Sequence, residues 1–213
     1  MSVTIHLLDA GQQLGDWHAK LLPLLEESVH ALGGFFVVDR LDILAYPSFY
    51  VIPELGVTGY AEGPHLLHIK LDTTSPNFAA QYAQAIPALV AHEVHHCMRG
   101  RTVGYGRTLA EALVSEGLAC AFEQQVTGRL PFYAQALGSE QLAHMLARAH
   151  AELHAIAYDH AAWFYGSASA GIPRHTGYSL GYQLVAAALQ QWQCTASDVV
   201  ARPAADFFAT QAI

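Results

Sequence analysis

The sequence has 213 residues, of which 53% are hydrophobic and 13% charged. This excludes the low-hydrophobicity, high-charge signature of disorder and supplies enough apolar material for one sizeable core. A formal net charge of −8 excludes a general phosphate-backbone binder, which needs a basic stripe to release counterions, so nucleic acid is not expected as a partner.

The opening residues, Met1 to His6, lack a basic region followed by an apolar one, so no secretory signal is expected. An amphipathic helix is expected from about Trp17 to Leu32, stopping at Gly33-Gly34. Strand-like runs rich in β-branched and aromatic residues follow at Phe35 to Val38, Ile43 to Ala45, Phe49 to Ile52, Val57 to Ala61 and Leu66 to Leu71. From Ser75 onward the pattern is helical. Thr73-Thr74-Ser75-Pro76 offers a hydroxyl cap before a proline at the first helical position. Pro87 then either kinks that helix or opens a second one, and both choices keep residues 88 to 99 helical. Thr108-Leu109-Ala110-Glu111 reads as a capping box, which gives Glu111 a structural job, and the helix it opens ends near Thr127-Gly128.

Strands followed by helices, rather than alternating with them, predict an α+β fold. A single domain over residues 1–213 is expected, with an N-terminal lobe over about 1–100 and a helical lobe over about 101–213. The longest apolar stretches, such as Ala85 to Ala91 and Leu184 to Leu189, fall short of the roughly 18 residues a membrane helix needs, so no membrane partner is expected. Cys97, Cys120 and Cys194 are an odd number without a CxxC pair. Reduced thiols and a cytoplasmic location suit that pattern better than a disulfide framework.

The segment Ala91-His92-Glu93-Val94-His95-His96 contains H-E-x-x-H. On a helix its two outer histidines stack on one face, where two imidazoles reach one cation. Glu93, about 100° round the helix from His92, flanks that face, and His95 points elsewhere. Glu116 follows His96 after 19 intervening residues, near the middle of the next helix. A second helix packed antiparallel to the first can offer its carboxylate to the metal, completing a His₂Glu set with the fourth position open for water. Gly117 beside it costs about 1 kcal/mol in mid-helix relative to alanine, and close approach of these two helices explains it better than local propensity.

These residues resemble the zinc signature of the gluzincins, the clan typified by thermolysin. The wording is closer still to a bacterial family of predicted Zn-dependent proteases, similar in His92-Glu93-Val94-His95-His96, in Thr108-Leu109 through Glu116-Gly117-Leu118-Ala119, and in Gly177-Tyr178-Ser179-Leu180-Gly181-Tyr182. The resemblance implies a zincin-like α+β fold, one zinc per chain on His92, His96 and Glu116, Glu93 as general base, and a peptide or protein substrate. One position departs from the pattern. Thermolysin-like proteins usually carry an aspartate four residues after the glutamate ligand to orient a zinc histidine, and here that position is Cys120.

Related metallopeptidases stabilise the reacting carbonyl oxygen with a Tyr, His or Arg from a late helix. The candidates lie between Pro173 and Tyr182, with Tyr178 first, His175 second, and Arg174 and Tyr182 beside them. Packing of both tyrosines against the core by a helix from Gly177 to Gln191 is the other expectation. Leu66 to Leu71 is expected either as an edge strand, along which such relatives bind extended peptides, or as an ordinary sheet strand. His150 and His154, with His144 and His160 nearby, are expected to form a helix face rather than a metal site. The leading reading is an intracellular zinc peptidase. Two others stay open: a protein that holds zinc structurally or binds a peptide or partner without turnover, and a zinc hydrolase of a non-peptide amide or ester. Glu93 favours the enzyme, because a structural zinc site requires no base beside the metal.

Overall fold

A computed structural model describes residues 3–209; Met1 and Ser2, where the segment read as lacking a leader begins, and residues 210–213 lie outside the described residues. The fold is α+β, a small four-stranded sheet followed along the chain by a mostly helical part. The chain divides into two compact units, Met1–Arg101 and Thr102–Ile213.

The first unit contains β1 (Val3–Leu7), α1 (His18–Ala31), β2 (Leu41–Pro47), β3 (Val57–Gly63), β4 (Leu66–Leu71) and α2 (Pro76–Gly100). The strands lie in the order β1-β2-β4-β3. β1 and β4 pair parallel with β2, and β3 pairs antiparallel with β4. Alternation places Leu41, Ile43 and Ala45 of β2 and Leu67, Ile69 and Leu71 of β4 in the core. Leu21 and Leu25 of α1, one turn apart, are fully buried as well. α2 packs against α1, β3 and β4.

Several local expectations hold in this unit. β4 has the expected bounds, and the opening helix is entered through a 3-10 turn at Gly15–Trp17. Ser75 caps α2 by accepting from the Phe78 N–H at 3.5 Å, and Pro76 is its first residue. The helix then runs unbroken through Pro87. Other expectations need correction. β1 was not foreseen, and it makes α1 the crossover of a parallel strand pair. Phe35 to Val38 form no strand, and of Phe49 to Ile52 only Ile52 makes an isolated bridge, to Val57. β4 is an interior strand, because the β3–β4 hairpin folds back so that β4 takes the slot beside β2. The edge next to α2 is therefore β3.

The second unit contains α3 (Leu109–Thr127), α4 (Ser139–His150), α5 (His160–Tyr165), α6 (Thr176–Trp192) and α7 (Ala204–Ala209). α3 opens with the expected capping box of Thr108 and Glu111 and closes on Gly128 in the left-handed conformation, φ 70°. From Ala112 to Glu123 every residue of α3 is buried, as for a helix wrapped on all sides. Gly117 is a point of helix contact, but its partner is α6: a Cβ there would stand 2.1 Å from the Gly181 carbonyl oxygen. Reciprocally, a Cβ on Gly181 would stand 2.2 Å from the Leu113 carbonyl oxygen. The two glycines let these helix backbones touch.

His150 ends α4, and the chain turns through residues 151–154, so His150 and His154 do not share a helix face. The turn is fixed by the Glu152 N–H donating to the Ala149 carbonyl and the Ala155 N–H to that of Glu152, at 2.9 Å each. The three cysteines are free, with Cys97 and Cys120 buried. Among the described residues no helix is long and apolar enough to cross a membrane.

Candidate metal centre

His92 and His96 stand one turn apart on α2, with ring centroids 5.0 Å apart and planes inclined at 74°. His92 is buried and His96 half-buried. His95, on the other side of the helix, is fully buried, its ring 6.1 Å from that of Phe36. Glu116 of α3 is buried. One ligand atom from each of His92, His96 and Glu116 lies within 4.8 Å of the other two, and this trio could hold a metal ion.

The donor set suits zinc. Two imidazoles and a carboxylate are the three protein ligands of one common catalytic zinc arrangement, which leaves a fourth position for water or substrate. Ligands about 2.1 Å from a tetrahedral centre stand ~3.4 Å from one another. The trio's 4.8 Å spread is within side-chain rotation of that value.

Glu93 is buried and held against the edge strand. Its Oε2 accepts a hydrogen bond from the Ala61 N–H of β3 at 3.0 Å. Gly59, two residues earlier on β3, makes room for the side chain: a Cβ there would stand 2.5 Å from Glu93 Cγ and 2.8 Å from Oε1. The β3–β4 register shifts between Ala61 and Gly63, directly after this contact. The backbone N–H holds that carboxylate oxygen at a fixed place beside the strand.

Glu116 has a partner of its own. The Tyr105 hydroxyl donates to Glu116 Oε1 at 2.8 Å. Burial, together with the adjacent carboxylate, pushes the Tyr105 hydroxyl well above the ordinary tyrosine value, so it stays a neutral donor. Tyr158 is pushed up to about 12, by burial first and then by Glu116 and Glu111. Its hydroxyl lies 3.0 Å from His160 Nδ1, and burial lowers the His160 pKa against the opposing effect of Glu116. Cys120, where thermolysin-like proteins carry an aspartate, is fully buried among apolar neighbours, and its thiol is pushed well above the usual range.

The late-helix candidates divide. Tyr182 donates its hydroxyl to Gln124 Oε1 at 2.6 Å, so it ties α6 to α3. Tyr178 is half-buried, its ring 5.0 Å from Tyr133, 5.1 Å from Phe164 and 6.0 Å from His175. His175 caps α6 in the left-handed conformation, φ 67°, which is costly for a side chain with a Cβ. Its N–H donates to the Phe164 carbonyl at 3.2 Å. Gly166, at φ 88°, holds the preceding residue, because a Cβ there would stand 2.9 Å from Arg174 Cα. Ser179 fastens this end of α6 further, donating to the Tyr133 carbonyl at 3.1 Å and accepting from the Ala136 N–H at 3.2 Å.

His92, His96 and Glu116 form a trio that could hold a metal ion, and the rings of Tyr178 and His175 are 6.0 Å apart. Gly59, Ala61 and Tyr105 are the neighbours that sequence reading missed. A glycine in a strand is a known mark of close backbone approach, so Gly59 carried a usable signal; Ala61 and Tyr105 carried none.

The pattern of a family described as predicted Zn-dependent protease (DUF2268) matches residues 37–209. No curated protein and no solved structure matches the chain.

Proposed function

As the chain belongs to the family of predicted Zn-dependent proteases, we propose that it hydrolyses peptide bonds with one zinc ion held by His92, His96 and Glu116. The observation that carries this reading is the clustering of these three donors with a glutamate, Glu93, next in the chain to the first of them. When bound, zinc supplies Lewis acidity, lowering the pKa of water to about 7 and polarising a carbonyl. Glu93 takes a proton from the attacking water and returns it to the leaving amine. Tyr178 first, and His175 second, donate to the carbonyl oxygen as it gains charge. The strained backbone of His175 and the tight seating of this end of α6 support a preorganised role there.

The substrate lies along β3. An extended peptide added to this edge strand runs past Gly59 and Ala61, where the Glu93 carboxylate sits. The exposed Tyr60 between them offers its ring on the strand's other face.

The test is digestion of a peptide library by zinc-loaded protein, read by mass spectrometry, with Glu93→Gln beside the wild type. Cleavage by the wild type and none by the zinc-loaded variant is expected. A variant that cleaves at the wild-type rate, or a zinc-loaded wild type that leaves every peptide intact, contradicts the proposal.

A further inference from the structure

Tyr105 lies in the loop ahead of α3, ten residues before Ser115, and that loop is tied down at successive points. Gly106, at φ 99°, approaches Glu111 so closely that a Cβ would stand 2.2 Å from the Glu111 Cβ. Glu111 Oε2 accepts from the Arg107 N–H at 2.8 Å, and from the Thr108 N–H and hydroxyl at 2.9 Å each. The fully buried Ser115 donates its hydroxyl to the Tyr105 carbonyl at 2.8 Å. The Tyr105 ring packs on the apolar cluster that includes Leu109, Leu113 and Phe164, with the His160 ring 6.0 Å away. Tyr105 is therefore fixed to α3 at two adjacent residues, its carbonyl on Ser115 and its hydroxyl on Glu116.

We propose that Tyr105 is a positioning residue for the third metal donor: its hydroxyl, placed by the anchored loop, fixes the orientation in which Glu116 meets the ion. The inference rests on the reading of His92, His96 and Glu116 as the zinc site. A carboxylate side chain has several rotamers, and a ligand that must find the right one binds metal more weakly. Hydrogen-bond partners behind a ligand typically account for 10–100-fold in affinity. The Tyr105 bond has the ordinary length of an O–H···O hydrogen bond, and its donor is held by both main chain and ring, so it suits that role.

Competition with a chelating zinc indicator measures the affinity directly, without reference to turnover. Tyr105→Phe removes only the hydroxyl and keeps the ring. The expected result is a zinc affinity about 10–100-fold below wild type, with the metal-free variant still folding cooperatively and its melting temperature lowered only as far as loss of one hydrogen bond to a carboxylate implies. Ser115→Ala, which frees the Tyr105 carbonyl but leaves its hydroxyl, should give a smaller loss in the same direction. Wild-type zinc affinity in Tyr105→Phe overturns the inference while leaving the zinc site standing. A wild type that binds no zinc, or that binds it equally well as Glu116→Ala, overturns the reading of the site and the inference with it.

Discussion

Replacing Gly59 by alanine tests whether the edge strand sets the place of Glu93, the proposed general base. The new Cβ would stand 2.5 Å from Glu93 Cγ, 2.8 Å from Oε1 and 2.9 Å from Cδ, whereas ordinary contact begins at 3.4 Å. Relief needs a displacement of roughly 1 Å, and errors of that size in a reacting group cost up to ~100-fold in rate. The obstructing atoms belong to a side chain, so Glu93 swings away and β3 and α2 need not separate. The bond from the Ala61 N–H is weakened or lost in the process; such a bond to a charged group contributes about 1.5–3 kcal/mol. Steady-state kinetics on a cleavable peptide should show kcat reduced by about 10–100-fold, with KM little changed. Zinc content should stay at the wild-type level, because His92, His96 and Glu116 are untouched. Wild-type kcat in a folded Gly59→Ala refutes the seating of the base, and loss of activity accompanied by loss of zinc refutes the division of roles between Glu93 and the three donors.

Gly181→Ala drives a Cβ to 2.2 Å from a backbone carbonyl that has no rotamer to escape through, so α3 and α6 must part. Overpacking of this kind costs about 1–3 kcal/mol, which thermal denaturation reads as a fall of ~2–4 °C for each kcal/mol. Gly33→Ala, with nothing among the described residues within 4 Å of the new Cβ, should lie within about 0.5 kcal/mol of wild type. Thiol labelling of the native protein should modify Cys194 alone. Burial pushes the Cys97 thiol up to about 12 and Cys120 well above its ordinary value, so neither supplies the reactive thiolate. The half-buried Cys194 is also raised, by burial first, so its labelling should quicken as pH climbs above the usual thiol range; labelling of Cys97 at the same rate contradicts this account.

What the sequence made legible is local. Ser75-Pro76 at the start of α2, the Thr108–Glu111 box and Gly128 at the end of α3 are signals that act within a few residues, and each marks an observed boundary. His92, His96 and Glu116 were nameable as candidates because one helix carries the first two a turn apart and the next, capped helix carries the third. Strand identity was harder, since a strand exists only if a partner accepts it. Phe35 to Val38 has suitable residues and, among the described residues, no partner strand, whereas Val3–Leu7 is a weak pattern that pairs with β2 along its whole length. Strand order is less legible again: nothing in Leu66–Leu71 says that it sits between β2 and β3 and leaves the edge to β3. Gly117 illustrates the same limit, because its missing side chain announces a close neighbour without saying that the neighbour is Gly181. Tyr105 reaches Glu116 only through a loop wound by Gly106 and Glu111, a path no spacing rule describes.

The claim on which the rest depends is that His92, His96 and Glu116 together hold zinc while Glu93 does not. Elemental analysis after zinc reconstitution and desalting, run on the wild type, Glu93→Gln and Glu116→Ala, addresses it directly. The account predicts one zinc per chain in the wild type and in Glu93→Gln, with marked loss in Glu116→Ala. No zinc in the wild type, or full zinc in Glu116→Ala, would contradict it.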